Sequence, residues 1–138
     1  MTVEHVFVDT NILVYAHDSD AGLKHTKAQA LVRSLWSNTY PPAISTQVLC
    51  ELYVSLQKKG APPKASKDIV DSYFVWEVIE SDLALVRDSI DIKMRHQLSF
   101  WDSLILCAAK RANASILYTE DLQDGAKLLG LTVQNPFS

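Results

Sequence analysis

The stretch HVFVDTNILVYA, residues 5–16, sets the pattern that the rest of the chain repeats. Its first half, HVFVD, is a short β-branched and aromatic run ending at Asp9, which reads as a buried strand. Asn11 can cap the short helix ILVYA that follows. A strand that hands over to a helix at an acidic residue is one half of a crossover unit, and more such units follow. Residues 22–38 form an amphipathic helix with Ala28, Leu31, Val32 and Leu35 at helical spacing, stopped by Tyr40-Pro41-Pro42. PAIS (42–45) is a second strand, and Ser45 or Thr46 caps a helix through Leu56 that KKGAPP ends. A helix over about 64–74, a strand-like FVWEVI (74–79) and a helix from Ser81 or Asp82 to Met94 come next. SFWDSLILCAAKRA (99–112) is a helix ending near Asn113, apolar on nearly all sides. SILYT (115–119) is a strand, TEDLQDGAKLLG a loop with a short helix, and LTVQN (131–135) the last strand. Strands alternating with helices predict an α/β protein, a single three-layer α/β/α domain over residues 1–138 with a central parallel sheet.

Composition narrows the class. The 138 residues are 48% hydrophobic and 21% charged, enough for one core. No apolar run approaches a membrane span, and the first residues show neither the basic nor the apolar segment of a secretory leader. A cytoplasmic protein is expected. Cys50 and Cys107 fall inside apolar helical patterns and read as reduced core thiols. The net charge of −3 gives no general attraction for nucleic acid and weighs against a duplex-binding module. Lys58, Lys59, Lys64 and Lys67 around GAPP read as a solvated face. Tyr15, Trp36, Trp76 and Trp101 read as core packing.

Chemistry enters through the acids. In a parallel sheet the C-terminal ends of strands and the N-terminal ends of the following helices share one edge, where ligands bind. Asp9 closes the first strand. Glu51 lies in the second turn of the helix after the second strand, and its apolar neighbours predict a half-buried acid in need of a partner. Asp102 lies in a first helical turn. Glu120 and Asp121 follow the strand SILYT directly. Each has a plainer reading: Asp9 serves a turn, Asp102 completes a Ser99 capping box, and Asp121 and Asp124 are loop acids or caps for the helix AKLL. Four segments aimed at one rim outweigh these readings. Two carboxylates 4 Å apart repel by about 4 kcal/mol at an effective dielectric of 20, and no Arg or Lys run offsets them. The oxygen-only donor set predicts Mg²⁺ or Mn²⁺ as counter-charge rather than zinc, and such a site suits phosphodiester hydrolysis.

The motifs FVDTNILVYA, STQVLCELY, LSFWDSLILCAA and ILYTEDLQDG resemble, in order and spacing, those of PIN-domain ribonucleases, and in particular the VapC-type toxins of bacterial toxin–antitoxin pairs. The resemblance runs from residue 6 to the end. It implies Mg²⁺- or Mn²⁺-dependent cleavage of RNA, a homodimer, and an antitoxin that blocks the site. Asp9, Glu51 and Asp102 match the first three acids. Asp121 matches the fourth, with Glu120 and Asp124 as rivals. Asn11 and Thr119 match residues that brace the acids. His5, His17, His25 and His96 lie outside the motifs and read as surface or packing residues. Other readings are a PIN-type nuclease of RNA processing without an antitoxin, a non-catalytic metal-stabilised RNA-binding protein, and an aspartyl-phosphate enzyme, which the lack of a Lys in the four motifs opposes.

Overall fold

The structure is a computed structural model that describes residues 4–138. Val6–Val8 forms β1, Ala43–Ser45 β2, Glu77–Ile79 β3, Ile116–Tyr118 β4, Lys127–Leu128 β5 and Leu131–Gln134 β6. The helices are α1 (Thr10–Ala16), α2 (Leu23–Trp36), α3 (Thr46–Lys58), α4 (Pro63–Ser72), α5 (Leu83–His96) and α6 (Phe100–Arg111). The strands lie in the order β3-β2-β1-β4-β6-β5. Every neighbouring pair is parallel except β5 with β6.

Burial follows from this order. Consecutive residues of a strand point to opposite faces, yet Phe7 and Val8 of β1 are both fully buried, so the sheet is covered on both sides. Helix α1 packs against both α2 and α3, and α3 against α4, while α5 and α6 form a separate pair with α6 against β2. The expected α/β/α layering with a mostly parallel central sheet is what the chain adopts. The unbroken buried run Ser103 to Ala109 in α6 shows why that helix looked apolar all round.

Four expectations need correction. Helix α1 is capped by Asp9, not Asn11: the Asp9 carboxylate accepts the Thr10 N–H at 2.7 Å. No helix forms over AKLL. Gly125 and Gly130 both take φ of +80° and Leu129 takes +52°, so these residues are committed to turns. Gly125 N–H bonds to Val133 O, and Val133 N–H to Ala126 O, each at 2.8 Å. The segment therefore becomes an antiparallel edge on an otherwise parallel sheet, a common ending for such sheets. Cys50 is exposed on the outer side of α3, whereas Cys107 is buried as expected. Trp101 and Trp36 are 62% and 43% exposed; of the tryptophans Trp76 alone is a core residue, at 4%. No helix among the described residues is long and apolar enough to cross a membrane.

Candidate active site

The register of β1 against β4 pairs Val8 with Tyr118, and the Asp9 N–H continues the ladder to Tyr118 O at 3.0 Å. Asp9 and Thr119 thereby leave the sheet side by side at its C-terminal edge. Both are buried, Asp9 at 5% and Thr119 at 0% exposure. The Thr119 hydroxyl donates to Asp9 Oδ2 at 2.8 Å, while Asp9 Oδ1 serves the helix cap. Burial nevertheless dominates. It pushes the Asp9 carboxyl up to about 7, against the lowering effect of Thr119 and Thr10, with the charges of Asp121 and Glu51 adding to the rise. A carboxylate so placed needs a positive partner to stay ionised.

The other acids reach the same edge from separate elements. Thr10, the first residue of α1, donates its hydroxyl to Glu51 Oε1 at 2.7 Å, which ties α3 to the end of β1. Glu51 is exposed rather than half-buried. The expectation failed because α3 also carries apolar side chains on its open side: Tyr53 and Val54 are 42% and 49% exposed. Asn11 donates to Asp121 Oδ2 at 3.1 Å and points the same amide at Thr119 Oγ1, 3.4 Å away. Thr119 Oγ1 in turn accepts the Asp121 N–H at 3.0 Å. Asp102 stands in the first turn of α6, and its N–H is capped by Ser99 Oγ at 3.0 Å. The Asp121 carboxyl is raised by partial burial first and then by Asp102, with Glu120 and Glu51 adding to it. The charges of Glu51 and Asp121 thus reach Asp9, and those of Asp102 and Glu51 reach Asp121.

The two rival acids are engaged elsewhere. Glu120 accepts the Tyr15 hydroxyl at 2.5 Å and the Lys24 ammonium at 2.8 Å. Burial raises its carboxyl, but these two partners outweigh it and hold the group below its ordinary range. Asp124 accepts the Asn135 N–H at 2.9 Å and the Ser138 hydroxyl at 2.8 Å, which hold its carboxyl low. Sequence reasoning passed over Thr10, the middle residue of DTN, although a hydroxyl beside a strand-end Asp is a ready orienting donor. It also passed over the Tyr15–Lys24 pair that occupies Glu120.

Fitness for a metal rests on the donors. The four acids offer oxygen only, which suits a hard cation. Asn11 Oδ1 is buried without a hydrogen-bond partner, an acceptor left open at the site. Among the described residues no three His, Cys, Asp or Glu side chains stand together so as to hold a metal ion, so a cation here would have few protein ligands at once. An open carboxylate rim matches Mg²⁺, which keeps much of its water shell and takes few protein ligands.

Comparison with known proteins agrees with this fold. The chain is similar in structure to the DNA-bound VapBC complex of Salmonella typhimurium, at 17% identity over 97% of this chain and 99% of that one, with a TM-score of 0.70. It is similar to a toxin–antitoxin complex from Klebsiella pneumoniae, at 22% identity, 96% and 97% coverage and a TM-score of 0.68. It is also similar to the sarcin-ricin-loop-cleaving toxin VapC20 of Mycobacterium tuberculosis, at 20% identity, 84% and 89% coverage and a TM-score of 0.68. A sequence comparison with curated proteins finds no significant match. The PIN domain family model matches residues 6–123, from β1 through the turn that carries Asp121. The chain belongs to the PIN domain family.

Proposed function

We propose that this protein is a Mg²⁺- or Mn²⁺-dependent ribonuclease, the toxin of a toxin–antitoxin pair. One observation carries the reading: a buried strand-end Asp9, pushed up to about 7 by burial, stands in a braced constellation with Glu51, Asp102 and Asp121 on the ligand-binding edge of the sheet. Membership of the PIN family supports a nuclease, and likeness to toxin–antitoxin complexes supports an antitoxin partner. Asp9, Glu51, Asp102 and Asp121 would hold the cation, which supplies counter-charge to the acids and Lewis acidity toward a phosphodiester.

The chain's own residues do the positioning. Thr119 fixes Asp9 at one oxygen and the Thr10 N–H at the other, so the carboxylate is held in one orientation. Thr10 orients Glu51 and Asn11 orients Asp121. Such preorganisation removes reorganisation cost from the reacting state. Because the site offers no element shaped to read a groove, single-stranded or looped RNA is the favoured substrate. Exposed Tyr53, Val54, Phe74 and Val75 on and beside α3 and α4 support protein contacts on that flank, by the antitoxin or a second copy in a homodimer. The test is hydrolysis of a single-stranded RNA, its duplex and a duplex DNA by the purified chain. Cleavage of the single strand that stops in excess chelator is expected. Equal rates on duplex DNA, or cleavage that persists in chelator, would overturn the reading.

A further inference from the structure

The cavity at the acid rim is not acidic along its whole length. Glu51, Ser55 and Lys59 all line it, and they recur every four residues along α3 and its end. Spacing of i, i+4 stacks side chains on one helix face, and eight residues at 1.5 Å rise separate Glu51 from Lys59 by about 12 Å. The stripe therefore grades from a carboxylate beside Asp9, through a hydroxyl, to an ammonium. Lys59 is the C-cap of α3. Its ammonium lies 2.9 Å from Asp18, with 46% of the side chain exposed. This separates it from Lys64 and Lys67, which pair with Asp68 and Asp71 on their own helix, away from the site. Tyr15 lines the cavity too and is held by its hydroxyl bond to Glu120 and by Lys24, 5.0 Å from its ring centroid. The Tyr15 wall beside the stripe is thus held in place.

A strand with one phosphodiester at the acids must place its neighbouring phosphates somewhere, and a rim of carboxylates repels them. We infer that Ser55 and Lys59 form a phosphate subsite that holds single-stranded RNA beside the bond to be cut. The inference rests on the ribonuclease reading above. A lysine offers a compact point charge rather than a planar fork, so the subsite adds affinity and register without reading sequence. Asp18 holds the Lys59 ammonium until a phosphate takes over the contact.

The test uses a fluorescein-labelled single-stranded RNA oligonucleotide, whose anisotropy reports binding to the full-length Asp9→Asn chain in Mg²⁺ over a range of salt. Adding Lys59→Gln should raise Kd about threefold to tenfold and lower the magnitude of the salt slope by about 0.7, the value for one phosphate contact on a single strand. Lys59→Arg should retain most of the binding. Asp18→Asn, which breaks the ion pair but leaves the ammonium, should bind as tightly as the parent or more tightly. In the cleavage-competent chain Lys59→Gln should raise KM and leave kcat near the starting value. Unchanged Kd and slope in Lys59→Gln, with RNA still bound and cut, would overturn the subsite alone. Equal weakening in Asp18→Asn would reduce the pair to a structural brace and overturn it as well. RNA neither bound nor cut by the unaltered chain would overturn both the subsite and the ribonuclease reading.

Discussion

Asp102 serves two masters, and the two can be separated. Its N–H completes the Ser99 cap of α6, and a first-turn acid meets the positive end of the helix dipole for roughly 0.3–1 kcal/mol. Its charge also raises the Asp121 carboxyl, which marks it as part of the crowded rim. Asp102→Asn keeps the size of the side chain and removes the charge. As a capping residue only, it would lose about 1 kcal/mol or less and leave cleavage unchanged. As a cation ligand, it should melt at an equal or higher temperature without metal, gain less from Mg²⁺ than the parent, and lose most of its cleavage. Thermal melting with and without Mg²⁺, paired with RNA hydrolysis, decides between them, and the ligand outcome is expected. At this scale the acids were legible because strand ends and helix starts are legible. The partners that orient them were less so: that Thr10 reaches Glu51 and that Tyr15 and Lys24 occupy Glu120 depends on contacts between residues 41 to 105 positions apart.

Among the elements, α6 ties the site to the core. Its inner face is closed, with Leu106 fully buried, while Trp101 five residues earlier is 62% exposed. Leu106→Ala should cost about 2–5 kcal/mol by leaving a cavity. Trp101→Ala should change stability by about 0.5 kcal/mol or less, and urea titration of the two variants checks the contrast. An equal loss in both would mean that Trp101 packs into the core after all. The same helix shows where sequence reading works and where it stops. Period, caps and breakers located α1 to α6 and the parallel strands, because each signal is local, but FVWEVI opens in a 3-10 turn that takes Phe74 and Val75, and only Glu77–Ile79 pairs as strand. They misjudged the outer faces of α3 and α6, where apolar residues face solvent and nothing local distinguishes an exposed Trp101 from a buried Trp76. They also misjudged AKLL. That stretch has helical composition, but the turns at Gly125 and Gly130 and the reach of β6 make it an edge strand, a choice made by pairing rather than propensity.

For the whole molecule, the site is a stability burden that the proposed function would explain. Unfolded Asp titrates near 3.8 and folded Asp9 near 7, so between those values the metal-free folded chain holds the extra proton. This group's contribution is therefore fully favourable below about pH 4, falls as pH rises toward 7, and levels off above it. Each pKa unit is worth about 1.4 kcal/mol, so the total is a few kcal/mol. Asp9→Asn removes that dependence, and its melting temperature in chelator should gain on that of the parent between about pH 5 and pH 8. A constant difference across that range would mean that Asp9 is ionised in the fold without a partner. The burden of Asp9 has a purpose only if the acids hold a cation that cuts RNA, and a single comparison addresses that claim most directly. An end-labelled single-stranded RNA is incubated with the parent chain and with Asp9→Asn, in Mg²⁺ or Mn²⁺ and in excess chelator. The parent should cut with metal and not without, and Asp9→Asn should fall by orders of magnitude while remaining folded. Cleavage by Asp9→Asn at the parent's rate, or by the parent in chelator, would contradict the account.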